Sequence, residues 1–108
     1  MRRGDIITVA VGGDHGMPRP ALVVQSDFLA EADSVLVCLL TTMQRAAALY
    51  RLALPADEGT GLREASQVMV DKIMAVRRDR CGAPIGCADD AALLALGRLL
   101  AFVVGIAD

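Results

Sequence analysis

The apolar residues of this chain fall into short β-branched runs that end at glycine or proline, and helical spacing appears only in the C-terminal segment. Runs of this kind predict strands, because branched side chains pack well on a pleated surface and glycine or proline ends the pairing. The predicted strands cover 5–11, 21–26, 34–40, 50–54 and 67–77. The run 34–40 is almost wholly apolar and predicts a central strand covered on both faces.

One helix is predicted at the end of the chain. Asp89 can accept hydrogen bonds from the first free backbone N–H groups of a helix, and Asp90 favours the positive end of its dipole. Apolar residues then recur at helical spacing, at Leu93, Leu96, Leu100, Val103 and Ala107. Short strands followed by one helix predict a mainly β fold, a small and strongly curved antiparallel sheet or barrel with a C-terminal helix packed on it.

Composition narrows the possible functions. The chain has 108 residues, 55% of them hydrophobic, which predicts a single globular domain over 1–108 and excludes a disordered chain. Aromatic residues make up 3%, too few for a base-stacking platform that binds any single strand. The net charge of −2 excludes a strongly basic protein that binds nucleic acid without regard to sequence.

The residues that bind metals are scarce and poorly spaced. His15 is the only histidine, and Cys38, Cys81 and Cys87 do not have the spacing of a zinc site or a disulfide framework. Cys38 is predicted to be a small core residue. No serine has the context of a nucleophile elbow, and no glycine-rich phosphate loop is present. We therefore expect no metal and no cofactor, and chemistry that depends on Arg, Thr and Asp.

The most apolar segment, 91–106, is interrupted by Gly97 and Arg98 and is shorter than the roughly 20 residues that cross a membrane. No targeting segment is recognisable at the N-terminus. These features predict a cytoplasmic protein without membrane association.

Three sequence blocks together resemble a known family. They are 18–24 (Pro-Arg-Pro-Ala-Leu-Val-Val), 35–41 (Val-Leu-Val-Cys-Leu-Leu-Thr) and 66–73 (Ser-Gln-Val-Met-Val-Asp-Lys-Ile). In this order and spacing they resemble the MazF/PemK toxins of toxin–antitoxin systems, and the similarity runs from Arg2 to about Gly105. The resemblance implies a small SH3-like barrel with a C-terminal helix, a fold shared with the gyrase poison CcdB.

The resemblance also implies a function. MazF-type proteins are homodimers that cut single-stranded RNA at short motifs without a metal. The 2′-hydroxyl attacks the adjacent phosphorus and leaves a 2′,3′-cyclic phosphate and a 5′-hydroxyl. A cognate MazE-like antitoxin covers the RNA groove, and operator DNA is bound only through that antitoxin.

Two positions match catalytic residues of the family, Arg19 of the Arg-Pro motif and Thr41 at the end of the third strand. Guanidinium can bind the two non-bridging phosphate oxygens at once, and prolines on both sides restrict the backbone of Arg19. The Thr41 hydroxyl can donate to the same phosphate and hold it in line. Without the resemblance, either residue would be interpreted as an ordinary surface arginine or a local hydrogen-bonding threonine.

Four further residues are RNA-binding candidates: His15, Met17, Asp71 and Lys72. Asp71 can accept a hydrogen bond from a base edge and Lys72 can contact a phosphate, although an exposed, solvated pair is the plainer interpretation. Simple strand alternation predicts opposite faces for the two. Met17 departs from the family, where a basic residue is common, and Met69 stands where some PemK relatives carry an arginine.

Two alternatives stay open. The chain could be a CcdB-like, non-enzymatic gyrase poison, or an inactive or regulatory relative, which the departures at Met17 and Met69 would fit. The Arg-Pro motif and Thr41 favour the nuclease.

Overall fold

A computed structural model describes residues 1–11 and 17–107 and contains six strands and one α-helix in the part of the chain that it describes. The strands are β1 Asp5–Val9, β2 Arg19–Val23, β3 Ser34–Thr41, β4 Arg51–Leu54, β5 Ser66–Arg77 and β6 Gly86–Cys87, and the helix is α1 Asp90–Val103. Short 3₁₀ turns cover Asp27–Leu29 and Arg78–Arg80. The paired strands are antiparallel and form one sheet in the order β4-β5-β3-β2-β1-β6.

The sheet curls on itself, so that strands β1 to β3 are covered on both faces. Alternate residues of these strands enter two separate cores: Ile6 and Leu22 face α1, whereas Ile7 and Val23 belong to a second cluster on the opposite face. A bridge between Val9 and Cys81 brings the segment after β5 back to β1. Burial on both faces explains why these strands are apolar runs rather than alternating ones.

Strand β5 changes faces in its middle. Between the pairs Leu40↔Val68 and Cys38↔Ile73, β5 advances by five residues while β3 advances by two. Strand β5 therefore contains three extra residues at this point. An odd number of extra residues reverses which side chains point to which face. Val68 and Val70 therefore enter the helix-side core, whereas Val76 enters the other. The prediction of simple alternation through Asp71 and Lys72 was wrong, since both are exposed.

The helix confirms its predicted start. The Asp89 carboxylate accepts from the Ala92 N–H at 2.8 Å, and α1 begins at Asp90. Leu96 is fully buried, and Leu93, Leu100 and Val103 pack against the same core. The helix ends before Gly105, whose φ of 82° turns the chain away, so Ala107 does not extend the apolar stripe as predicted.

The mainly β fold with a C-terminal helix agrees with the prediction, and so does the burial of Cys38. Strand β6 was missed, because two residues with a glycine carry no periodic signal. No helix in 1–11 or 17–107 has the length and apolar character needed to cross a membrane.

Candidate functional site

Arg19 and Thr41 line one cavity at the edge where β2 begins and β3 ends. The β2–β3 ladder pairs Ala21 with Leu39, and continuing the same register by two residues sets Arg19 opposite Thr41. The cavity has a volume of about 240 Å³, and its lining residues are Arg19, Pro20, Leu40, Thr41, Thr42 and Ser66. Sequence positions 22 residues apart thus meet because antiparallel pairing brings the two strand ends together.

Among residues 1–11 and 17–107, none engages the guanidinium of Arg19. Arg19 starts β2, where Pro18 and Pro20 flank it, and its backbone lies opposite Val9 of β1. The side chain is half-buried, and within the described part of the chain it makes no ion pair or side-chain hydrogen bond. A fixed backbone with an uncommitted cation beside a cavity is suited to binding an anion.

The hydroxyl of Thr41 accepts one hydrogen bond and donates none to the described residues. Thr41 Oγ1 accepts a hydrogen bond from the Met43 N–H at 3.1 Å, which ties it to the turn after β3. A hydroxyl that accepts in this way can still donate its own proton. Thr41 can therefore serve as a hydrogen-bond donor to a ligand in the cavity.

A second cavity of about 620 Å³ continues from the first and shares Pro20, Thr42 and Ser66 with it. Arg63 and Glu64, both exposed, add one charge of each sign to its wall. We define the two cavities together as the Arg19 groove. Gly61 borders it with a φ of 70°, and a Cβ there would lie 2.0 Å from the Ile85 carbonyl oxygen, so the wall requires glycine.

Sequence reasoning missed Arg63, Glu64 and Ser66 as residues of this groove. Ser66 is buried, and its Oγ donates to the Glu64 carbonyl at 2.9 Å, so it shapes the loop before β5. The only available signal was proximity to the motif that starts at Ser66, which does not show which wall a loop joins.

The remaining predicted site residues do not meet Arg19 and Thr41. His15 lies outside the described residues. Met17 is 70% exposed, and Asp71 and Lys72 are exposed where β5 changes faces; none of these three lines the Arg19 groove. Burial, with a smaller contribution from the Asp71 charge, raises the pKa of the Cys38 thiol to about 11, so this thiol stays protonated near neutral pH.

A cavity of about 750 Å³, larger than either part of the Arg19 groove, lies between β4, the β4–β5 loop and the start of α1. Its described lining contains Asp57, Glu58 and Asp89 and no lysine or arginine. Two of these carboxylates already hold backbone N–H groups, of Thr60 and Ala92. A wall of this charge repels a phosphate-bearing ligand, so charge rather than volume identifies the Arg19 groove as the candidate site.

Comparison with known proteins identifies the family. Residues 2–104 match the family model described as the PemK-like, MazF-like toxin of type II toxin-antitoxin systems. The chain is 36% identical, over 99% of both proteins, to a protein named probable endoribonuclease MazF from Mycolicibacterium smegmatis.

Solved structures show the same fold. A mycobacterial endoribonuclease in complex with its cognate antitoxin superposes with a TM-score of 0.82 at 22% identity, covering 100% of this chain and 98% of that one. The Mycobacterium tuberculosis toxin MazF-mt6 gives 0.80 at 20% identity, covering 94% and 96%. A MazE-MazF structure from Deinococcus radiodurans gives 0.78 at 19% identity, covering 97% and 96%. With the family model spanning nearly the whole sequence, this chain belongs to the PemK/MazF family of type II toxin–antitoxin toxins.

Proposed function

We propose that this protein is an endoribonuclease toxin that cuts single-stranded RNA at a short sequence without a metal ion. The observation that carries the proposal is the shared cavity of Arg19 and Thr41, where no other described residue bonds the guanidinium or accepts the hydroxyl proton. The name of the Mycolicibacterium relative, an endoribonuclease, supports it.

The reaction needs no other reactant than RNA. The 2′-oxygen forms a bond to phosphorus while the bond from phosphorus to the 5′-oxygen breaks. The 2′-hydroxyl loses its proton and the departing 5′-oxygen gains one, which leaves a 2′,3′-cyclic phosphate and a 5′-hydroxyl. Negative charge accumulates on the non-bridging oxygens in the transition state, where the protein can stabilise it.

Arg19 supplies that stabilisation. A guanidinium is a donor-only group that binds phosphate oxygens in a fixed fork, so the main role of Arg19 is electrostatic rather than proton transfer. Two parallel N–H donors match two phosphate oxygens, and the flanking prolines limit the freedom that binding would have to restrict. The Thr41 hydroxyl donates to the same phosphate and holds it in line for attack.

The rest of the groove receives the nucleotides beside the scissile bond. The 620 Å³ cavity is continuous with the reaction site, and Arg63 and Glu64 offer a phosphate contact and a base-edge acceptor. Asp71 and Lys72 lie outside the groove, so we propose that they contact only nucleotides farther along the RNA strand. Met17 and His15 are proposed to flank the RNA from the loop between β1 and β2.

A cognate MazE-like antitoxin is the proposed partner of a homodimeric toxin in the cytoplasm, where RNA is available. Structural neighbours of this chain include complexes with an antitoxin. We propose that an acidic and apolar antitoxin segment occupies the Arg19 groove, and that operator DNA is contacted only through the antitoxin. RNA and antitoxin should then compete. Independent, simultaneous binding in calorimetry would contradict this arrangement.

The function is tested by incubating the purified protein with a long unstructured RNA in EDTA and identifying the ends produced. We expect cuts at one short motif, with cyclic phosphate and 5′-hydroxyl ends, and no change on adding Mg²⁺. Cleavage that EDTA abolishes and Mg²⁺ restores would contradict the mechanism. A parallel incubation with gyrase and DNA identifies the gyrase-poison alternative if gyrase is trapped while RNA stays intact.

A further inference from the structure

The turn that follows Thr41 is held by side-chain hydrogen bonds at the end next to Thr41, and by backbone hydrogen bonds at its far end, next to β4. At the far end the N–H groups of Tyr50 and Arg51 donate to the Ala47 carbonyl, at 3.2 and 2.9 Å. Near Thr41, the Met43 N–H donates to the threonine hydroxyl and the groups of Arg45 bond to a side chain of β5. The geometry next to the candidate site therefore depends on that side chain.

The β5 side chain is Gln67, which lies opposite Thr41 in the β3–β5 ladder and is 9% exposed. Its Oε1 accepts from the Arg45 N–H at 3.1 Å, and its Nε2 donates to the Arg45 carbonyl at 3.0 Å. One amide thus satisfies both backbone groups of a single turn residue, as a neighbouring strand would. A buried amide with both ends used fixes its partner firmly.

Arg51 of β4 completes the attachment. Its Nη1 donates to Gln67 Oε1 at 3.0 Å and to the Met43 carbonyl at 3.3 Å. Its Nε is buried and has no partner among the described residues. A buried donor without a partner costs free energy. The Arg51 side chain nevertheless lies where Nη1 bonds the turn and Nε stays unsatisfied among the described residues.

We propose that Gln67, supported by Arg51, is a positioning residue for RNA cleavage: by fixing Met43 and Arg45 it sets the direction of the Thr41 hydroxyl. The chain of contacts is continuous, from Gln67 and Arg51 to the backbone of 43–45, and from the Met43 N–H to Thr41 Oγ1. This inference rests on the proposed nuclease function. Gln67 touches no reacting atom, so it acts on the rate only through Thr41.

The chain contains a matched control at the other end of β3. Gln25 is also buried, its Oε1 accepts from the Leu36 N–H at 3.3 Å and its Nε2 donates to the Leu29 carbonyl at 3.2 Å. It fastens the β2–β3 connection, as Gln67 fastens the β3–β4 turn. Gln25 does not line the Arg19 groove, so its loss should affect the fold and not the reaction.

The experiment measures kcat and KM for RNA cleavage, together with Tm, in the full chain and in Gln67→Ala, Gln67→Glu and Gln25→Ala. For Gln67→Ala we expect kcat to fall about tenfold or more with KM within about twofold, since small displacements of a catalytic group cost this much. Gln67→Glu keeps the acceptor for Arg45 and Arg51 but sets a carboxylate oxygen against the Arg45 carbonyl in place of the Nε2 donor, so its kcat should fall between those of wild type and Gln67→Ala. Gln25→Ala should lower Tm and leave kcat unchanged.

Amide hydrogen exchange separates positioning from general loosening. In Gln67→Ala the Arg45 amide should lose protection, while the Leu36 amide keeps it; Gln25→Ala should show the reverse. If wild-type protein cuts RNA but Gln67→Ala and Gln25→Ala change kcat equally, the positioning role is overturned and the nuclease function stands. If wild-type protein cuts no RNA, the proposed function itself fails. If Gln67→Ala does not fold, Gln67→Glu and Arg51→Lys provide the test. A kcat equal to that of wild type in both variants overturns the inference.

Discussion

At both ends of β3 a buried glutamine and an arginine secure the adjoining connection, yet the two ends differ in what lies beside them. At the Ser34 end, Gln25 bonds the backbone of Leu29 and Leu36. At the Thr41 end, Gln67 bonds the backbone of Arg45. Of the two ends, only the Thr41 end borders the Arg19 groove. A glutamine that holds a turn can therefore affect catalysis at that end and not at the other.

The contrast between the two ends is stronger for Arg78 and Arg19. Arg78, at the Ser34 end, has its Nε donating to the Ala32 carbonyl and its backbone N–H donating to Asp33. Arg19, at the Thr41 end, has no such partner within the described residues and faces a cavity. The ends are separated by about 23 Å of strand at the usual rise per residue. A committed cation stabilises the fold, whereas an uncommitted one is available to a phosphate.

The largest expected effect distinguishes these two arginines. Replacing Arg19 with Ala should reduce kcat for RNA cleavage by about 10²- to 10³-fold, the usual loss when one donor to a developing oxyanion is removed. Arg78→Ala should leave kcat within about twofold and lower Tm by a few degrees, because it releases the Ala32 carbonyl. Rate measurements under chelator and thermal melts check both. Equal losses of activity would show that net charge, rather than position, matters.

Removing the hydroxyl at the Thr41 end should have the next largest effect. Thr41→Val keeps shape and burial but loses the donor to phosphate and the acceptor for Met43, and we expect kcat to fall by about 10- to 100-fold. Thr41→Ser should retain most of the rate. A Thr41→Val protein that cuts RNA as fast as wild type would assign no role to this hydroxyl.

The smallest effect is expected at Lys72, which lies off the groove on the part of β5 that changes faces. Lys72→Ala should raise KM for a long RNA by a few fold and leave kcat unchanged. The salt dependence of RNA binding should fall by the contribution of about one phosphate contact. For a substrate of two nucleotides it should have no effect. A fall in kcat on the short substrate would place Lys72 in the reaction site instead.

The features that the sequence predicts correctly are those that residues close together in the chain encode. The cap at Asp89 and the strand that ends at Thr41 are encoded by neighbouring residues, and both were predicted. The face change in β5 arises from pairing with β3, so strict alternation misplaced Asp71 and Lys72 relative to each other. Alternation cannot reveal extra residues that only the partner strand defines.

The site shows the same limit. Arg19 and Thr41 were singled out through resemblance, and strand register explains how they come to share a cavity. Gln67 was visible only as part of a motif, since its importance comes from the backbone of a turn 22 residues away in sequence. Glu64 and Arg63 lie in an irregular loop whose path is set by Gly61 and the Ser66 hydroxyl. Such contacts depend on tertiary structure and leave no periodic signal.

The most direct test asks whether Arg19 and Thr41 act on one phosphate. A double-mutant cycle compares kcat/KM for wild type, Arg19→Ala, Thr41→Val and the double variant on one RNA. Groups that stabilise the same transition state lose their contributions together. We therefore predict a double variant little slower than Arg19→Ala alone. Losses that multiply in full would show that the two residues work independently, and would contradict the shared site.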